Sequence, residues 1–238
     1  MKTLVLGDIH GRVCWKNIIK KENPDLTIFL GDYVTSHENI SDEVQINNVL
    51  EILDYKESNP GSCILLRGNH DLQCLYNNSD LWACYPEPSK KLLSIFSSPE
   101  FRNRFLGDTQ WIHIDSDTIF SHAGISKTWL GDTGKTVDKI NELGPDENLF
   151  GFRPDNYFDT YGDSVTQGCI WIRPQSLLND CIDGYNQVVG HSTVKNITDI
   201  SKFSQLLEKS IWLCDNLPDE YLIIENGNFE PRENYTSE

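Results

Sequence analysis

Asp8 and His10 stand one residue apart, just beyond the apolar run Leu4-Val5-Leu6. In extended backbone that spacing turns both side chains to one face, where they can grip a single cation together. Four further apolar runs end in the same way, with a Gly or Ser next to a metal-ligating residue type. Phe29-Leu30 leads into Gly31-Asp32-Tyr33-Val34, and Leu65-Leu66-Arg67 into Gly68-Asn69-His70-Asp71. Ile119-Phe120-Ser121 leads into His122-Ala123-Gly124-Ile125, and Val188-Val189 into Gly190-His191-Ser192-Thr193. Ligands in open α/β sheets gather beyond the carboxyl ends of the strands, so five such ends can converge although they lie far apart in sequence. The mixed N/O donor set suits Mn, Fe or Zn better than Ca or a thiolate-seeking metal. Two ions satisfy it better than one. With Asp32 bridging, Asp8 and His10 complete one ion's ligands, and Asn69, His122 and His191 the other's. Ions about 3.5–4 Å apart lower the pKa of a shared water and clamp both oxygens of an in-line displacement at phosphorus.

Such convergence requires strands that finish side by side, and the chain supplies the alternation of an α/β domain. Short Val/Ile/Leu runs predict strands over 3–6, 26–30, 63–66, 169–172, 187–189, 211–214 and 221–225, and a hairpin joining 111–114 to 118–121 through Asp115-Ser116-Asp117. Helical spacing predicts helices over 15–21, 41–55, 90–96 and 100–105. Ser41 is the expected N-cap of the second, and Val44, Val49, Ile52 and Leu53 supply its apolar stripe. Asn226-Gly227-Asn228 is a turn signal. Trp82, Tyr85, Pro86 and Pro88 interrupt the pattern, so an irregular helical cap region is expected over about 72–107 of a single domain spanning 1–238.

The five blocks resemble the signature of the calcineurin-like metallophosphoesterase superfamily, and most of all its serine/threonine protein phosphatase branch. That branch includes small phage and bacterial protein phosphatases and diadenosine tetraphosphatases. The resemblance spans residues 7–191 and implies a four-layer α/β/β/α sandwich with a dinuclear site, normally Mn or Fe/Zn. It also implies the ligand division given above. His70, next to Asn69, resembles the family's general acid, a role that imidazole chemistry near neutrality supports. Asp71 stands where the family usually has Glu and is read as orienting its neighbours. Arg67 resembles a residue that is usually structural.

The second block departs from that pattern. After Gly-Asp-x-Val the family continues with Asp-Arg-Gly, whereas Thr35-Ser36-His37 follows here. The missing Asp orients the catalytic histidine and the missing Arg grips the substrate phosphate, and neither Thr35 nor Ser36 supplies the lost charge. Arg173, in Trp171-Ile172-Arg173-Pro174, is the leading replacement, because phosphatases of this branch often place an arginine in a similar segment. His37 and Arg12 are weaker candidates, being common types in exposed loops. Trp82, Trp111, Trp129, Trp171 and Trp212 are expected in core or cap packing. Ser121 is set aside as a nucleophile because no base accompanies it.

Composition narrows the function classes. The chain has 238 residues with Asp+Glu 36 against Lys+Arg 20, a net charge of −16. Without clustered Lys and Arg, general nucleic-acid binding is not expected. No stretch approaches the length of a membrane helix, and the amino terminus does not read as a signal peptide. Seven scattered cysteines fit reduced thiols and a cytoplasmic setting. The expected activity is hydrolysis of phosphomonoesters, on phosphorylated Ser/Thr or a small metabolite, by direct attack of a metal-bridging hydroxide with two divalent ions, manganese first. The alternatives are a dinucleoside polyphosphate or phosphodiester hydrolase, and a metal-binding interaction module that has lost catalysis.

Overall fold

The computed structural model describes residues 1–76, 84–145, 147–153, 163–204 and 207–234. One sheet contains β1 (Lys2–Leu6), β2 (Leu26–Phe29), β3 (Cys63–Leu66) and β4 (Thr109–Gln110). These run parallel, and β1 is continued by antiparallel pairing with β10 (Glu220–Glu225) and then β11 (Asn228–Glu233). The second sheet has the order β5 (Ile112–Asp115), β6 (Thr118–Ser121), β7 (Asn186–Thr193), β9 (Ile211–Asp215) and β8 (Thr198–Asp199). Its β6, β7 and β9 are parallel.

Alternation along the strands divides the interior into three apolar layers. Leu4, Phe29, Leu65 and Ile223 face one layer, where they meet Val49, Ile52 and Leu53 of α2 (Asp42–Ser58) and Ile18 of α1 (Trp15–Glu22). Their neighbours Val5, Ile28, Leu66 and Leu222 face Phe120, Val188 and Cys214 between the two sheets. Val189 and Leu213 turn outwards to Leu177 of α8 (Pro174–Asp180) and to Ile200. A strand buried on both faces must be apolar at successive positions, and this is why Leu4-Val5-Leu6 and Val188-Val189 are unbroken runs. The layers form the four-layer α/β/β/α sandwich.

Apart from one strand, the expected strands and helices are present with bounds shifted by a few residues, and further short elements accompany them. Residues 169–172 form a turn, with the amides of Trp171 and Ile172 both donating to the Gly168 carbonyl. The run is apolar because all four residues are buried in that turn. Val44 is 44% exposed, and Ile46 packs in its place on the inner face of α2. Strand β11 was not anticipated; Asn226 and Gly227, both at positive φ, turn β10 back into it. Ser41 caps α2, its hydroxyl accepting from the Val44 amide. The segment expected as a cap carries α3 (Asn69–Tyr76), α4 (Lys90–Phe96) and α5 (Pro99–Asp108), and the last two pack against α2. Trp82 lies outside the described residues. Trp111, Trp129 and Trp171 are buried, and Trp212 stacks on Phe229. No helix among the described residues is long and apolar enough to cross a membrane.

Candidate metal centre

The loops after β1 and β2 are tied by their backbones. The amides of Ile9 and His10 donate to the Asp32 carbonyl, and that of Gly11 to the Tyr33 carbonyl. The Asp71 carboxylate brackets the next loop as well, accepting from the amides of Asp32 (3.0 Å), Tyr33 (2.9 Å) and Gly68 (2.8 Å). Two glycines permit the closest approaches. A Cβ on Gly68 would lie 2.0 Å from Asp32 Oδ1, and one on Gly190 2.2 Å from Asp8 Oδ1. His10, Asp32, Thr35 and His191 all occupy the left-handed region at φ 44°, 51°, 61° and 61°. Non-glycine residues hold that conformation only where their surroundings enforce it, and functional sites concentrate it.

The six expected ligands converge. The ligating atoms of Asp8, His10 and Asp32 lie within 4.8 Å of one another. Asp32 Oδ2 sits 3.3 Å from His122 Nε2 and 4.0 Å from both His10 Nε2 and His70 Nε2. Asn69 Oδ1 is 2.9 Å from His122 Nε2 and 3.0 Å from His191 Nδ1. His191 reaches the cluster where the pairing of β7 with β9 shifts register, between Val189 and Thr193.

The other nitrogen of each of these three histidines faces a backbone carbonyl: His10 Nδ1 to Val34, His122 Nδ1 to Leu30 and His191 Nε2 to Trp171. A carbonyl can only accept, so those nitrogens carry protons, and in a neutral ring the opposite nitrogen presents a lone pair. The inner nitrogen of neutral His191 therefore faces the Asn69 oxygen and that of neutral His10 the carboxylates, whereas His122, charged while metal is absent, donates from Nε2 towards Asn69 and Asp32. Without metal the second proton of His122 satisfies part of this cluster, a divalent cation would satisfy all of it, and histidines that donate their outer N–H to a carbonyl are the usual form of metal-ligating histidine. The residues fit divalent metal.

The titrations follow the same geometry. Burial works to lower the pKa of His122, but Asp32 and Asp8 overcome it and raise it to about 10. Burial lowers His10 to about 4 against the pull of Asp32. His191 is lowered by burial and then by Arg173. Burial works to raise Asp32, but the imidazoles of His122 and His70 hold it below the usual carboxylate range, whereas burial and Asp215 raise Asp8. His70 is lowered by burial, with Asp32 opposing.

Three residues of the altered second block take distinct places. Thr35 is buried, and its hydroxyl donates to the Val34 carbonyl (2.6 Å), leaving its lone pair to accept from His70 Nδ1 at 2.5 Å. Thr35 therefore meets the histidine nitrogen and fixes Nε2 as the end facing Asp32, without bringing a charge. The Ser36 amide donates to Gln45 Oε1. His37 is exposed, with its ring edge-on to that of His10 at 5.3 Å. Arg173 donates to the His191 carbonyl and to Ser192 Oγ, both at 3.3 Å, beside the cluster. Arg12 pairs with Glu38 and reaches the Asp8 carbonyl. Arg67 is bound to Thr109 and the Leu106 carbonyl and lies over Trp111. The Ser121 hydroxyl is buried and meets no partner among the described residues, so no base activates it.

Sequence reasoning passed over Asp215 and Cys84. Asp215 is buried, accepts from Thr193 Oγ1 at 2.7 Å and acts on Asp8. Its signal was the one used elsewhere, an acid closing the apolar run Ile211–Cys214. Cys84 accepts from Asn69 Nδ2 at 3.0 Å, which turns the amide oxygen towards the histidines. No sequence pattern announces that contact.

A family model described as calcineurin-like phosphoesterase matches residues 1–191. No curated protein sequence matches the chain significantly. Among solved structures, a cold-active protein-tyrosine phosphatase of a psychrophilic Shewanella species is similar, with TM-score 0.63 and 17% identity over 98% of this chain and 77% of that one. So is a protein serine/threonine phosphatase from Saccharomyces cerevisiae, with TM-score 0.57 and 14% identity over 100% of this chain and 81% of that one. At such identities the likeness concerns the fold.

Proposed function

This chain belongs to the calcineurin-like phosphoesterase family, whose members are metal-dependent hydrolases, and from that premise we propose that it hydrolyses phosphomonoesters at a centre of two divalent ions. The observation that carries the reading is the convergence of the inner ring nitrogens of His122 and His191 on oxygens of Asn69 and Asp32, each outer nitrogen being held by a backbone carbonyl, an arrangement that suits a bound cation. Asp8, His10 and Asp32 would hold one ion, and Asp32, Asn69, His122 and His191 the other, with manganese the first candidate by donor type. When bound, such a pair supplies the Lewis acidity that makes hydroxide available near neutral pH and neutralises phosphoryl oxygens.

The remaining chemistry belongs to side chains. His70 Nε2 faces the site and protonates the leaving oxygen, while Thr35 holds its other nitrogen. Arg173, anchored on the His191 carbonyl, draws the substrate phosphate, replacing the arginine absent after Val34. Displacement is direct, with no covalent phosphoenzyme, because the buried Ser121 has no base. Both similar phosphatases are named for monoesters on protein side chains, in keeping with this class. The net charge of −16 disfavours polyanionic dinucleotides.

The test is hydrolysis of p-nitrophenyl phosphate and bis-p-nitrophenyl phosphate by metal-stripped protein before and after addition of Mn²⁺. The expected result is manganese-dependent turnover that favours the monoester. Preference for the diester would overturn the substrate class, and no turnover despite two bound ions would point to the interaction module.

A further inference from the structure

Four rings lead from the buried centre to solvent. His10 packs edge-on against His70 at 5.1 Å and against His37 at 5.3 Å. His37 lies 6.2 Å from His70 and 6.2 Å from Tyr85. His10 and His70 are buried, His37 is exposed, and Tyr85 is 82% exposed, more than any other large apolar side chain among the described residues. An aromatic side chain so bare gains nothing from the fold, and at the mouth of a site it is available to a ligand. The side chain of the preceding residue, Cys84, accepts from Asn69 Nδ2, which ties the stretch carrying Tyr85 to the centre.

We infer that His37 and Tyr85 form a seat for the leaving group and that it takes a planar aromatic ring, making this an aryl-phosphate hydrolase. The inference rests on the monoester reading given above. With phosphorus at the metal ligands and the leaving oxygen at His70, the group attached to that oxygen is placed to meet His37, 6.2 Å from His70, and then Tyr85. Arg12 is already paired with Glu38, the residue after His37, so the seat made by His37 and Tyr85 offers ring faces and edges. Ring on ring in offset or edge-on geometry is the contact such a surface makes best. A phosphorylated tyrosine side chain has this chemistry, and an alkyl phosphate such as phosphoserine does not.

The test measures binding and turnover separately in manganese-loaded protein. Calorimetry compares benzylphosphonate, an uncleavable isostere of phenyl phosphate, with cyclohexylmethylphosphonate, which has similar bulk but no planar ring. The wild type is expected to bind the benzyl compound about fivefold more tightly. Tyr85→Ala is expected to abolish that preference and Tyr85→Phe to keep it. In parallel, Tyr85→Ala is expected to lower the ratio of kcat/KM for O-phospho-L-tyrosine over O-phospho-L-serine by a similar factor, through KM. Equal binding of the two phosphonates by the wild type, or an unchanged ratio in Tyr85→Ala, would overturn the seat while leaving the phosphomonoesterase in place. Preference for the benzyl compound with no ester hydrolysed would uphold the seat and sink the hydrolase reading.

Discussion

The first sheet delivers Asp8, His10, Asp32, Asn69 and His70 to the centre, and the second sheet with its flanking loops delivers His122, Arg173 and His191. The two contributions differ in charge and in how they are held. The carboxylates of Asp8 and Asp32 come from the first sheet, on loops pinned to one another by the amides of His10 and Gly11 and by the Asp71 bracket. The second sheet brings imidazoles, a guanidinium and Asp215 beside Asp8, and above the apolar layer between the sheets its ties to the first arm at the centre are polar: the His191 amide on Asp8, and His122 on the Leu30 carbonyl and Asp32. One arm is thus an anionic cradle, and the other, held to it by the apolar layer, meets it at the centre through charge. Metal fits where the arms meet, and in the proposed centre Asp32 would be the residue common to both ion positions.

The sharpest way to break this division is therefore Asp32→Asn. Removing one partner of a buried charged cluster costs several kcal/mol, so turnover of p-nitrophenyl phosphate should fall by about a thousandfold or more. Metal content read by mass spectrometry should fall with it, whereas loss of activity at full metal content would contradict a bridging role. His70 belongs to the first arm and is proposed as the acid, so the next test is His70→Asn. It should spare metal content yet slow phenyl phosphate by about a hundredfold, with much less effect on 2,4-dinitrophenyl phosphate, as expected for loss of an acid. Equal slowing of both esters would count against that role.

Thr35→Val should lower turnover of the poor leaving group by about tenfold, the worth of one buried hydrogen bond, and Thr35→Ser should restore it. The structural readout is the tautomer of His70 from imidazole ¹⁵N shifts in metal-free protein, with Nδ1–H in wild type and a mixture in Thr35→Val. The arms can also be separated by pH. The folded pKa of His122 is raised above its ordinary 6.5, to about 10, by Asp32 and Asp8 against burial, so metal-free protein carries that proton at neutral pH. A ligand must shed it. Metal affinity should accordingly rise up to about tenfold per pH unit between about 7 and 10, with proton release seen by calorimetry in buffers of different ionisation enthalpy. For the metal-free fold the sign is opposite: the stability His122 contributes is full below about pH 6.5 and is lost as pH rises through about 10. A flat profile in both measurements would remove the charge complementarity between the arms.

The smallest effect lies behind the first sheet. Ser41→Ala removes the cap of α2 and should cost about 1 kcal/mol in urea unfolding, with kcat/KM unchanged.

The first arm was the more legible. Its strands β1, β2 and β3 are doubly buried and hence continuously apolar, and each is followed at once by its chemistry, so strand, turn and ligand can be read in one short stretch. The second arm is less regular. His191 sits at a register shift inside a strand, and residues 169–172 are an apolar turn that imitates a strand, since burial demands apolar residues of either conformation.

The sequence by itself determined the alternation of strands, the six ligand-type residues at their ends, and the family those blocks resemble, because these depend on residues close together in the chain. Only the tertiary structure decided that Thr35 meets His70, that Cys84 turns the Asn69 amide, that Asp215 stands behind Asp8 and that Tyr85 stands at the mouth. Each of these pairs residues distant in sequence, or depends on a left-handed φ that packing imposes against local preference. Local chemistry is written in the chain, whereas contacts between segments exist only once burial has brought them together.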